Sequence, residues 1–481
     1  MTEEFSRHSE IRNGELIRYY GNASEVTVPD DVAIIASGAF RGCKKLTNVT
    51  LGKRVSSIHD DAFADCVRLK QITFPAGLKE VGERAFSCCE SLAGVSLPKT
   101  VFTVGKSAFE RCTALKKVIL PASLSTLGAY AFTDCVSLEE ILLPDGLDAI
   151  HRSTFFRCTA LRHIHIPESV KTIGSYAFAL CESLTDVALP DGITYIGTGA
   201  FCACENLRAF RVPEQVNFLG NELFAGCRRL ESVSMPEGLT RIGNQTFSAC
   251  GALTEIRLPG ALTHIGEGAF LGCRALAGIE LPDRTETLGA SAFAYCDGLT
   301  AVRLGNGLTA VSHETFLCCR ALERIEIPAG IREIGDAAFR ECTSLWKVGL
   351  PTELVEIGDA VFEGTAMETV SLPHALKRVG KRAFADCYRL TTVILPAQRV
   401  RMGKGVFSGC AALELLVLPD RLPFFAQTPE KWQLTGDATV LRHSDLRVAT
   451  LLAEYGDPET EPERREELKA EIRVAVRRGK R

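Results

Sequence analysis

Hydrophobic positions in this chain return with a fixed period. Phe stands at Phe40, Phe63, Phe86, Phe109 and Phe132 and onward in steps of 23 to Phe362, then at Phe384 and Phe407, giving 17 copies with one step of 22. Three residues after each Phe comes Cys in 16 of the 17 copies, from Cys43 to Cys410, with Thr365 the exception. Three further on comes Leu, from Leu46 to Leu413, replaced once by Met367. The copy with both replacements is the short one, so a one-residue deletion lies between Phe362 and Met367 and a local irregularity is expected there.

The unit from Leu97 to Ile119 shows what each copy builds. Leu115, Val118 and Leu120 are spaced three then two apart, the pattern of a turn feeding a short strand whose alternate residues point inward. Pro121 ends that strand because it has no N–H to donate. The Ala108-Phe109 to Cys112 to Leu115 stretch has a period near three, which suits a helical or 3₁₀ turn on the opposite side. A coil of 23 residues cannot bury its own apolar face, but stacked coils bury a continuous core. The expected fold is an α/β repeat solenoid, a curved horseshoe of about 17 coils with parallel strands on its concave face and short helical turns outside. At about 4.8 Å per coil it extends on the order of 80 Å.

The ends read differently. Glu10 to Tyr20 reads as two short strands around Asn13-Gly14, so residues 1–25 are expected to form a capping hairpin ahead of a solenoid over 26–419. Residues 420–481 are expected to form a C-terminal cap in which Pro423, Phe424 and Phe425 cover Leu413 and Leu418. Ser444 then caps a helix carrying Val448, Leu451, Leu452 and Tyr455 and stopped by Gly456, and Thr460 with Glu463 opens a second carrying Leu468, Ile472 and Val476. Arg477, Arg478, Lys480 and Arg481 close that helix and complement its dipole.

Repeats such as LPASLSTLGAYAFTDCVSLEEIL, Leu120 to Leu142, resemble the BspA-like, or treponemal-type, subfamily of leucine-rich repeats, over about Val26 to Pro419. The resemblance implies a protein-binding solenoid, often on or released from the surface of host-associated anaerobes and some parasitic protists, with adhesion to host proteins. The secreted members carry a signal peptide, whereas Met1 to Ser9 is polar with no apolar segment behind it. The sequence therefore favours the cytoplasm, with the cell surface or exterior as the alternative.

Charge and composition narrow the function. Lys and Arg number 55 against 59 Asp and Glu, a net charge of −4, which is not the balance of a nucleic-acid binder. No run approaches the roughly 20 apolar residues of a membrane span. The 19 cysteines contain no Cys-x-x-Cys pair, so the usual zinc spacing is absent. A Cys once per coil reads as a small buried filler, and thiols kept reduced fit a reducing compartment. Cys88, Cys202 and Cys318, off the ladder, are the expected exposed thiols. His59 and His151 fill slots where 13 of 17 copies have Gly, which indicates backbone tolerance only.

Two constellations remain as candidate chemistry. His163 and His165 lie two apart on one strand, and the flanking coils place Glu140 and Asp186 in the lane of His163, so the four could converge on one cation. The alternative is that these are the polar residues any solvated strand face carries. The second is a charge ladder, Arg211, Ser234, Arg257, Glu280, Arg303, Glu326, whose last four members alternate in sign. With Arg208 and Arg324 it forms the candidate ligand-binding face, self-neutralisation being the competing reading. Early coils show Thr50, Thr73 and Ser96 in the same lane. Scarce aromatics argue against carbohydrate or single-stranded nucleic acid, and no Gly-rich phosphate loop occurs. The sequence thus reads as a monomeric, non-catalytic protein-binding solenoid without cofactor. A surface adhesin is the alternative, and a metal-dependent activity at His163 and His165 the remaining one.

Overall fold

The structure, a computed structural model, describes residues 2–418, 439–442, 451, 454–455, 460 and 462–479. They form two compact units, one of residues 1–239 with 246–253 and one of residues 240–245 with 254–481. The chain is a parallel-strand solenoid of about 18 turns of 23 residues.

A typical coil contributes two strands, one of three residues and one of two. In the first unit the wide strands Gly94–Ser96, Lys117–Ile119 and Glu140–Leu142 pair in parallel, with Val95, Val118 and Ile141 in register. The narrow strands Glu80–Val81, Thr103–Val104 and Thr126–Leu127 form a separate ladder. The second unit repeats the scheme, with Arg324–Glu326 beside Lys347–Gly349 and narrow strands running from Ala310–Val311 to Arg401–Met402.

The expected outer helical turns are not formed: among the described residues the coils contain no helix, only turns around each Phe. The reason is backbone sign. Residues two before and two after each Phe hold positive φ, as at Tyr130 (62°) and Asp134 (59°) or Tyr176 (56°) and Leu180 (61°), and a left-handed residue cannot sit inside a right-handed helix. Most such residues close a hydrogen-bonded turn of type II geometry, with the Ala108 N–H on the Gly105 carbonyl at 3.3 Å and the Cys112 N–H on the Phe109 carbonyl at 3.2 Å. The conformation costs about 1–3 kcal/mol per non-glycine residue. In return it turns alternate N–H groups toward the next coil: Ser107 to Ala129 at 2.9 Å, Phe109 to Ala131 at 2.9 Å and Arg111 to Thr133 at 2.7 Å.

Inside this ladder the Phe rings stack face to face. Centroids lie 4.8 Å apart at Phe40 and Phe63 and 6.1 Å apart at Phe201 and Phe224, within the range of offset stacking. The Cys ladder is buried filler, as expected, but it also satisfies a polar group. Cys135 Sγ donates to the Phe109 carbonyl at 3.2 Å, and Cys158 does the same to Phe132 at 3.2 Å. Each of these carbonyls therefore accepts its own coil's Cys N–H and the next coil's S–H, a second bond that Ala or Val could not supply. In the short copy the Thr365 hydroxyl donates to the Phe362 carbonyl of its own coil at 2.9 Å. The irregularity is confined to the turn after Thr365, which is missing. Ring stacking continues through it, at 5.5 Å to Phe339 and 5.3 Å to Phe384.

The predicted hairpin is present: β1 (Ser9–Arg12) and β2 (Glu15–Tyr19) pair antiparallel, with Asn13 and Gly14 at φ 52° and 78°. Its ring extends the core. Tyr19 packs on Phe40 in a tilted arrangement at 5.2 Å, and Phe5 of α1 (Thr2–Arg7), a helix the sequence reading missed, stacks on Tyr19 at 5.6 Å. At the other end a further strand, Thr439–Arg442, pairs in parallel with Leu415–Leu418, inside the stretch expected to be cap. The helix α2 (Pro462–Gly479) buries Leu468 and Ile472 with Tyr455 against Val417, as its spacing predicts. Thr460 does not form the expected capping box; its hydroxyl donates to the Glu454 carbonyl at 2.5 Å, and Pro462 opens the helix instead. Pro423, Phe424, Phe425, Ser444, Val448, Leu452, Gly456, Lys480 and Arg481 lie outside the described residues, as do the side chains of Val476, Arg477 and Arg478.

Candidate ligand-binding strand face

Most wide strands hide one side chain and turn two outward. Ile141 and Ile164 are buried, while Glu140, Leu142, His163 and His165 on either side of them are exposed. Two lanes of outward residues therefore run along each unit, one coil apart within a lane.

In the first unit the candidate four-ligand metal arrangement is not assembled. His163 Nδ1 lies 3.2 Å from Asp186 Oδ2, and the Thr185 hydroxyl donates to the same oxygen at 3.0 Å. Glu140 is the register partner of His163 on the other side. His165, however, stands in the second lane between Leu142 and Ala188. Residues two apart on a strand point the same way but sit about 6.6 Å apart, so each imidazole meets cross-strand neighbours rather than the other ring. Among the described residues no three His, Cys, Asp or Glu side chains converge on a point that could hold a metal ion.

Arg211 and Arg303 pair across coils rather than along their lane. Arg211 reaches Asp191 at 2.7 Å and Arg303 reaches Asp283 at 3.0 Å, in both cases the residue after the strand-ending Pro of the preceding coil. The nearby Arg303 guanidinium is the main reason the Asp283 carboxyl titrates below its usual range, helped by the Asn306 N–H. Arg208, just ahead of its strand, meets Glu231 at 3.4 Å. The signal in the sequence was Leu-Pro-Asp at 189–191 and at 281–283, each with an Arg 20 residues after its Asp. In the second unit Glu280 and Arg303 are register partners, Arg324 faces Lys347, and Glu326 lies over Gly349. Arg257 keeps the outward orientation beside buried Ile256, although residues 254–259 form no strand.

The sequence reading missed the apolar part of the face. Leu142 is 72% exposed and its register partner Ile119 49% exposed, in a lane otherwise mostly polar.

The thiols sort by position. None of the three expected exposed thiols is fully exposed: Cys88 and Cys202 are half-buried and Cys318 is buried, while Cys43 of the ladder, in the first coil, is half-buried too. Burial pushes Cys112 and Cys158 far above the usual thiol range and Cys296 up to about 12. Native protein is therefore expected to react with a thiol reagent first at Cys43, Cys88 and Cys202, and denatured protein at close to all 19. Rapid native labelling of ladder positions such as Cys135, read by peptide mass analysis, would show the ladder to be open.

Known proteins place this architecture. The profile of the BspA type leucine rich repeat region, six copies long, matches residues 14–139, 79–208, 125–254, 217–344 and 309–428. A leucine-rich repeat protein from Bacteroides ovatus ATCC 8483 is 27% identical, covering 89% of this chain and 94% of its own, with a TM-score of 0.55. The T. pallidum leucine rich repeat protein is 32% identical over 36% of this chain and 83% of its own, with a TM-score of 0.35. Pneumococcal vaccine antigen PcpA is 20% identical over 81% of this chain and 96% of its own, with a TM-score of 0.40. No curated protein sequence matches significantly. Coils of 23 residues built on Phe, Cys and Leu ladders, with that profile matched from residue 14 to residue 428, show that the chain belongs to the BspA-type leucine-rich repeat family.

Proposed function

We propose that this solenoid binds a protein ligand through the exposed lanes of its wide strands and carries no catalysis of its own. The observation that supports this is the one-buried, two-exposed pattern of most of those strands, which offers outward side chains at fixed spacing while the core stays the same from coil to coil. In the second unit the residues assigned to recognition are Arg257, Glu280, Arg303, Arg324 and Glu326; in the first, Arg208 and Arg211. Their exposed ion pairs contribute little to folding, so they are available to be exchanged for pairs with a ligand.

Partners captured from lysate and from host matrix, side by side, identify the ligand, and its affinity is then measured at two salt concentrations. Charge reversal of Arg257→Glu with Arg303→Glu is expected to weaken binding at least tenfold and leave the melting temperature nearly unchanged. Binding equal to the parent's, or loss of binding only on removal of residues from Ser444 onward, would move the interaction off the strand face. No helix among the described residues is long and apolar enough to cross a membrane. The reduced, hydrogen-bonded Cys ladder supports a reducing compartment, and ladder disulfides recovered under alkylating conditions would instead support the surface-adhesin reading.

A further inference from the structure

We propose that the narrow-strand side of the last coils in the second unit binds an acidic peptide segment of a partner protein. Lys377, Arg378, Lys381, Arg382, Arg401 and Lys404 are all exposed there. Register sets Arg378 directly against Arg401. Gly380 and Gly403 bring the two coils into backbone contact, since a Cβ built on Gly403 would fall 2.5 Å from the Gly380 carbonyl oxygen. Lys381 and Lys404 follow these glycines, and the Arg382 N–H donates to the Lys404 carbonyl at 3.1 Å. Like charges are thus stacked one coil apart, an arrangement that costs stability unless an anion completes it.

The acidic groups nearby supply an anion to only two of the six, Arg378 and Arg382. Glu356 and Asp359 engage Arg378, and Glu363 and Asp386 engage Arg382. Glu333 lies one strand further on, paired in register with Glu356, and Asp336 accepts the Asp359 N–H. The side chains of Lys377, Lys381, Arg401 and Lys404 form no ion pair among the described residues, although the Lys381 N–H donates to Asp359 Oδ1 at 2.8 Å. A fifth charge stands beside them: Arg399 is exposed in the slot that holds buried Ile331, Leu354 and Leu376 in the preceding coils.

The chemistry favours a short acidic segment over a long polyanion. The chain as a whole is net negative, at −4, so its far field repels an extended anion while the local cluster attracts a small one. The neighbouring narrow-strand positions hold Val355 and Val400, which offer no ring for a base to stack on. Lysines on flexible stems accommodate carboxylates whose spacing differs from the roughly 4.8 Å between coils. This site is independent of the wide-strand face, so either can fail alone.

The test is fluorescence anisotropy of the full chain with a fluorescein-labelled dodecapeptide of alternating Glu and Ser. Binding should weaken steeply with salt. The triple change Lys381→Glu, Arg401→Glu, Lys404→Glu should cut affinity at least tenfold without lowering the melting temperature, and the Gln triple should give an intermediate loss. Lys99→Glu, Lys116→Glu, Lys117→Glu, with the same change in net charge, should stay within twofold of the parent. Absence of peptide binding by the parent, or an equal loss in the control triple, would overturn the proposal. So would tighter binding of oligothymidylate at the same residues, which would make this a nucleic-acid surface.

Discussion

Replacing Phe224 with Ala is expected to destabilise the first unit by about 3–5 kcal/mol, in the range of large-to-small changes in rigid cores. The ring is fully buried, and it is held by Phe247 at 5.5 Å, Phe201 at 6.1 Å and, edge-on, Phe210 at 4.7 Å. The backbone on both sides of the hole is tied to the neighbouring coil. Phe224 and Phe201 each donate their own N–H to the following coil, at 2.8 Å to Thr246 and 3.1 Å to Leu223, and those bonds fix the coil spacing. The cavity therefore stays open, which is the condition for the upper part of that range. Because solenoid stability is a sum over coils and their interfaces, the loss should appear as local opening as well as a lower denaturation midpoint. Hydrogen exchange of the amides from Phe201 to Phe247 reads it directly. Parent-like exchange there would mean that the Phe ladder contributes little to holding the coils.

The repeat was legible because its signal is carried by side chains that appear in nearly every copy. Phe, Cys and Leu mark the core, and their period gave the coil, the stacking direction and the site of the deletion at Thr365. The outer turns were misread because the same spacing near three suits either a helical turn or a chain of type II turns, and what separates them is the sign of φ. That sign was faintly visible: Gly38 and Gly42 take the two left-handed positions in the first coil, yet most coils place residues such as Tyr130, Leu180 or Arg382 there, against local preference. Hydrogen bonding between coils overrides that preference, and single-coil reasoning does not contain it. The candidate site was legible only in part for a related reason. The lanes follow from strand alternation, so the exposure of Arg211, Arg303 and His163 could be read directly. Their partners Asp191 and Asp283 could not, because the contacts cross from the strand of one coil to the bend of another.

The glycine that stands four residues before Phe in 13 of the 17 copies offers the sharpest separation of local from inter-coil effects. At Gly128 a Cβ would lie 2.5 Å from the Gly105 carbonyl carbon and 2.7 Å from Lys106 Cα. These are backbone atoms of the preceding coil, so no rotamer change relieves the clash and the coils must separate. At Gly220, in the equivalent slot, the nearest atoms are 3.4 Å away, which is ordinary contact. His59 and His151 occupy this slot in their own coils, so the fold can open locally when a side chain is built in from the start. Gly128→Ala is therefore expected to cost about 1–3 kcal/mol as overpacking, offset in part by the smaller backbone entropy of the unfolded chain. Gly220→Ala keeps that entropic gain without the clash and is expected to be neutral or to stabilise by up to about 1 kcal/mol. Denaturation midpoints of the two variants should thus move apart, with Gly128→Ala below the parent and Gly220→Ala at or above it. Equal shifts would show that the coil spacing relaxes freely, and that glycine in this slot is set by something other than the approach of one coil to the next.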